Sequence, residues 1–220
     1  SLYNMMNSIN DEMIGLIGEG LAANLLPYGI WVGSLSEISE TSGYWIKLDD
    51  NATLSVSDAI PTDPSLVYDL HAGANLISYP SDISMAIGDA ISGEYSDYIN
   101  GFIGEGEAAS LLPNGMWVGS LTEFNGNKGY WFKVSDDFEF SFNIDGELTR
   151  PVDLYVAEKY PDGMEYIQSM NQAFYFVEDI TINDIPVAIG SWVLAYNDNV
   201  LVGARQWNGQ YMDVPTMGYD

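Results

Sequence analysis

The chain has no cysteine, one histidine, and six lysines and arginines against 32 aspartates and glutamates, for a formal charge of −26. Each shortage removes a class of function. Without cysteine there is no disulfide framework, no thiolate metal site and no cysteine nucleophile. Lys47, Lys128, Lys133, Arg150, Lys159 and Arg205 are too few and too scattered to neutralise a run of phosphates. Binding to nucleic acid and attraction to anionic lipid are therefore disfavoured. Long apolar runs are missing as well. A stretch such as residues 186–193 is far too short to span a bilayer, so no membrane insertion is expected. No basic segment followed by an apolar one opens the chain, so a leader peptide is expected to be absent or already removed. A surface this anionic keeps a protein dispersed in salty media and attracts divalent cations, which suits an extracellular or cell-surface setting.

Apolar material is plentiful: 47% of residues are hydrophobic and 13% aromatic, enough to bury cores. It is organised by a repeat. Gly43-Tyr44-Trp45 recurs as Gly129-Tyr130-Trp131, 86 residues later. At that offset residues 17–50 lie over residues 103–136 without a gap, and 21 of 34 positions are identical. Beyond them the tails LSV and FSF still align. This is a tandem duplication of a module near the size of a small domain. The second copy opens with VYDLHAGANLISYP, which has no counterpart ahead of copy one, so copy one is expected to be incomplete on that side.

Alternation within the copies predicts mainly β structure with short helices, a β-rich α+β fold. Strands are expected at 98–103, 116–121, 129–134 and 138–142, where Phe138, Phe140 and Phe142 share one face. Ser81 or Asp82 is expected to cap a short helix with Ile83, Ile87, Ala90 and Ile91 on its apolar face. Leu2, Met5, Ile9 and Met13 form a comparable stripe. From about residue 150 the texture changes. DLYVAEKY, FYFVEDITI, PVAIGSWVLAYN, VLVGARQWN and QYMDVP read as an all-β meander or sandwich-like unit, with hairpin signals at Asn197-Asp198-Asn199 and Asn208-Gly209. The division expected is 1–65, 66–149 and 150–220, the last unit being open at its end.

The segment LHAGANLIS, followed by a short helix, GYWFKVSDD and a β tail, resembles the "GWNLIS…GYW" repeat of large secreted and cell-surface bacterial proteins. The third unit resembles a β-sandwich-like module of the same proteins. Ala74 stands where that repeat has tryptophan. The resemblance implies an extracellular, multidomain, non-catalytic architecture, and it implies no ligand.

The residue types limit the chemistry further. His71 would have to serve any Ser-His-Asp triad, yet Gly33-Ser34 and Gly119-Ser120 lack the flanking glycine of a nucleophile elbow. Glu19 and Glu105, each in an IGEG motif, could form a glycosidase pair. A duplicated module supplies one carboxylate per copy, however, and a turn with glutamate facing water is the simpler reading. No catalytic residue is assigned. Asp49, Asp50, Asp136, Asp137 and Asp198 sit in acidic loops that suit calcium, without EF-hand spacing. Tyr44, Tyr130, Trp45 and Trp131 are candidates to stack on glycans; the tryptophans are the better core candidates, and alternation places Tyr and Trp on opposite faces. Open sheet edges would allow other chains of a surface assembly to add strands.

Overall fold

A computed structural model describes residues 2–144, 160–167, 169, 171–209 and 211–219. With 42% of the chain in strands and 8% in helices, the fold is β-rich. Copy one opens with a short helix, α1 (Leu2–Met6). Four antiparallel strands come next: β1 (Met13–Gly18), β2 (Leu21–Leu26), β3 (Ile30–Gly33) and β4 (Trp45–Leu48), ordered β3-β2-β1-β4.

Copy two begins with β5 (Tyr68–Leu70), β6 (Gly73–Ser78), β7 (Met85–Ala86) and the single turn α2 (Ile87–Ala90). It continues through β8 (Ile99–Ile103), β9 (Ala108–Leu111), β10 (Trp117–Gly119) and β11 (Glu123–Phe124). β12 (Gly129–Val134) and β13 (Phe138–Phe140) complete it. Its main sheet runs β10-β9-β8-β12-β6. The 86-residue shift carries β1, β2, β3 and β4 onto β8, β9, β10 and β12, so the two sheets share one order. They share register as well: Leu16 faces Ile46 as Phe102 faces Phe132, and the ladder slips at the same place, between Met13 and Gly15 and between Val134 and Lys133. What copy two adds is β6, on the outer edge of β12.

That addition decides how each copy is covered. β5 pairs with β13, and β6 with β12, closing an aromatic core in which Phe132 and Phe140 are fully buried and Phe142 nearly so. Among the described residues copy one has no strand equivalent to β5 or β6. The counterparts Ile46, Leu54 and Val56 are accordingly 38, 39 and 43% exposed. Full burial of such a side chain stabilises by about 1.5–3 kcal/mol over exposure, which copy two gains at Phe132 and Phe140.

The helix expected from Ser81 begins later, at Ile87, with Ala86 ahead of it and no side-chain cap. Ser81 instead accepts the Ile83 N–H in a local turn, and residues 85–86 extend to pair with β11. Tertiary pairing overrides the helical spacing there. The stripe at the start also splits: Leu2 lies in α1, Ile9 in a 3-10 turn and Met13 in β1.

The last segment forms β14 (Gln172–Val177), β15 (Thr181–Ile182), β16 (Ile185–Pro186), β17 (Trp192–Asn197), β18 (Val200–Gln206) and β19 (Met212–Met217). β17 and β18 form the hairpin expected at Asn197-Asp198-Asn199, with Asp198 at φ 53°. The strand expected in DLYVAEKY lies, apart from Tyr160, outside the described residues. Among the described residues three separate apolar clusters lie along the chain, each drawn from one of the three segments.

Candidate functional site

The motif residues that recur between the copies meet where copy one touches copy two. GYW begins with a glycine for a steric reason. A Cβ on Gly43 would lie 2.7 Å from the Ile77 carbonyl oxygen, and one on Gly129 would lie 2.9 Å from the Gly43 Cα. Backbone meets backbone at this point. The Gly43 N–H donates to the Leu76 carbonyl at 2.9 Å, and the Ser78 N–H donates to the Thr41 carbonyl at 3.2 Å. The Ser78 hydroxyl donates to the Glu40 carbonyl at 2.5 Å. β6 therefore has two neighbours: β12 of its own copy on one edge and residues 41–43 of copy one on the other.

Glu19 completes this seam. Its Oε2 accepts the Leu76 N–H at 2.8 Å, and its Oε1 lies 2.5 Å from His71 Nε2. His71 Nδ1 lies 2.9 Å from the Ala72 carbonyl. The bond to Ala72, followed by the bond to Glu19, holds the imidazole above its ordinary pKa; the charges of Glu19 and Asp137 add to this, and desolvation opposes it. The loop carrying His71 is held from within: buried Asn75 accepts the His71 N–H at 2.9 Å and donates to the His71 carbonyl at 2.8 Å. Glu19 does not simply face water, as a plain turn would have it, and His71 is its partner.

Among the candidate glycan residues, Tyr130 is corrected outright. It is 1% exposed, so its ring offers no platform to a sugar. The alternation does put Tyr and Trp on opposite faces, but the tyrosine takes the inner one and Trp131 is only half-buried. Both tyrosines do the same work. The Tyr44 hydroxyl accepts the Ser39 N–H at 2.9 Å, and the Tyr130 hydroxyl accepts the Asn125 N–H at 2.8 Å. Each ring lies over the first glycine of IGEG, since a Cβ on Gly18 or Gly104 would sit 3.2 Å from it. Burial pushes the Tyr130 phenol pKa well up. Trp45 is half-buried on β4.

The acidic residues of these loops take part in local and long-range hydrogen bonds. Asp50 accepts the Asn51 N–H, Asp136 accepts the Ser135 hydroxyl, and Asp137 accepts the Ala72 N–H at 2.7 Å. Asp49 donates its N–H to the Glu12 carbonyl, and Asp198 tips its hairpin. Among the described residues no three acidic or histidine side chains gather as a metal group.

A second contact joins copy two to the last segment, and neither of its residues stands out in the sequence as a site. Arg205 and Asp213 form an ion pair at 3.0 Å with Asp213 fully buried. Asp213 accepts the N–H of Ser120 and, at 2.9 Å, its hydroxyl. Arg205 donates to the Gly106 carbonyl at 2.5 Å. One signal for the pair does exist in the sequence: two opposite charges inside the apolar runs VLVGARQW and YMDVP.

Residues of copy one, Glu105 and residues of the last segment line a cavity of about 930 Å³. Its walls include β4 from Trp45 to Leu48, Glu105, and Val200 and Leu201 of β18. Compared with family models, curated proteins and solved structures, the chain matches none of them.

Proposed function

We propose that this chain is a non-catalytic structural and adhesion segment of a large extracellular bacterial surface or filament-forming protein. The observation that supports it best is that backbone and polar groups are used to join one segment to the next. Glu19, Gly43 and Leu76 join one copy to the next, and Ser120, Arg205 and Asp213 join copy two to the last segment. The anionic surface, the lack of cysteine and the resemblance to surface-protein repeats agree with it.

Two measurements on one preparation test this reading. Small-angle scattering of the wild type and of Gly43→Val should show a docked pair of repeats that loosens in the variant. Aryl glycosides should not be turned over; turnover abolished by Glu19→Gln would replace the scaffold with an enzyme. A second reading, a carbohydrate-binding accessory region, attaches to Trp45, which lines the cavity. A glycan array in which a bound sugar is lost on Trp45→Ala would favour it.

A further inference from the structure

Asn51-Ala52-Thr53 is the one Asn-x-Ser/Thr triplet in the chain, and its middle residue is not proline. Such a triplet accepts a glycan where its side chains reach solvent and its backbone lies outside regular structure. Both conditions hold here. β4 ends at Leu48, and residues 49–67 contain no strand or helix. Asn51 and Thr53 are exposed, whereas Ala52 between them packs against the apolar cluster of copy one. The acceptor amide and the hydroxyl are thus presented to solvent while the residue between them anchors the triplet.

The segment is tied at its two ends and open between them. Upstream, the Asp49 N–H donates to the Glu12 carbonyl at 2.9 Å. Downstream, the Ser55 N–H donates to the Ser8 hydroxyl at 2.8 Å. Between these ties the Asn51 N–H donates to the Asp50 carboxylate at 2.7 Å, a bond that stays within the segment. Asp49, two residues ahead of Asn51, is exposed and adds a carboxylate that a cation of a transferase can grip. Copy two uses the same place differently. There Asp137 stands for Asn51 and Glu139 for Thr53; Asp137 accepts the Ala72 N–H, and Glu139 lies in β13, paired with β5.

We propose that Asn51 is an acceptor site for an N-linked glycan, read by a transferase through Thr53 and Asp49. The donor is an oligosaccharide carried on a polyprenyl diphosphate. The Asn51 amide nitrogen attacks the anomeric carbon of its first sugar. A C–N bond forms, the C–O bond to the diphosphate breaks, and the diphosphate leaves with the electron pair. The amide proton passes to a carboxylate of the transferase. The inference rests on the extracellular part of the reading above, because glycans of this kind are placed on exported chains, and it adds a site to that reading.

The test incubates the purified, folded chain with a bacterial oligosaccharyltransferase and its polyprenyl-diphosphate oligosaccharide, and records intact mass. The peptide IKLDDNATLSV, residues 46–56, serves as the positive control for enzyme and donor. The expected result is one oligosaccharide added to the chain, mapped to Asn51 by peptide fragmentation. Asn51→Gln and Thr53→Ala should abolish the addition. Asp49→Asn should slow it by about tenfold, through loss of one charge-assisted hydrogen bond. A folded chain left unmodified while the peptide is modified overturns the site, as does a sugar on any other residue. Transfer to Thr53→Ala at the wild-type rate overturns it too, and an unslowed Asp49→Asn removes Asp49 from it. Because the assay runs in solution, its failure removes the acceptor site alone. The scaffold reading then still stands or falls by the scattering and turnover measurements above.

Discussion

The Leu76 amide of the second repeat donates to the Glu19 carboxylate of the first across 2.8 Å. A strand edge in one module is thereby capped by a side chain of another. Unpaired strand edges invite uncontrolled association, and this edge is closed by a carboxylate together with two backbone hydrogen bonds from residues 41–43.

The closest approach predicts the most sensitive position. Gly43→Ala places a Cβ 2.7 Å from the Ile77 carbonyl oxygen. Since the clash is with backbone, the repeats must move apart, and overpacking of this kind costs about 1–3 kcal/mol. Chemical denaturation should show this loss, together with faster exchange at Ser78.

The Ala72 carbonyl and then Glu19 raise the pKa of His71, and through the Glu19 share the junction depends on pH. The folded pKa of His71 lies above its ordinary value of 6.5. Its contribution is fully present below pH 6.5 and is lost as pH rises through the folded pKa. The junction should therefore be tighter at about pH 6 than at about pH 8.5. His71→Gln should remove that difference, as read by denaturation at the two pH values.

The buried pair in the last segment should be the costliest to break. Asp213→Ala leaves Arg205 buried without its carboxylate and removes the acceptor for both groups of Ser120. Breaking a buried ion pair from one side costs about 3–5 kcal/mol. Ser120→Ala removes one hydroxyl and should cost about 1 kcal/mol. Thermal melts of the two variants give the comparison directly.

Tyr130→Phe tests the inner tyrosine as a brace. It keeps the ring over Gly104 but strands the Asn125 N–H, for a loss of about 1 kcal/mol. Gly104→Ala brings a Cβ to 3.2 Å from the ring, so the tyrosine must shift by a few tenths of an ångström, and a loss larger than that of Tyr130→Phe would show that the ring is held in place. Urea titrations of the two variants rank the losses.

Much of the fold is legible in the residues. The strand at 129–134 runs as its alternation predicts, and the Asn-Asp-Asn turn makes its hairpin. Repetition marks IGEG and GYW as parts of one module. It does not say that their purpose is mutual, because contacts such as Glu19 to Leu76 join positions 57 residues apart with no local signature. The tyrosines mislead for a related reason: alternation separates two faces of a strand but does not say which face is inner. The helix expected at Ser81 starts late because its apolar spacing is overruled by pairing of β7 with β11.

Amide exchange at Leu76, in the wild type and in Glu19→Gln, tests the junction between the repeats most directly. The N–H of Leu76 points to copy one, whereas those of Asn75 and Ile77 face β12. The account predicts that Leu76 is protected in the wild type, that its exchange speeds up in Glu19→Gln, and that Asn75 and Ile77 are unchanged. Equal exchange at Leu76 in both proteins would contradict it.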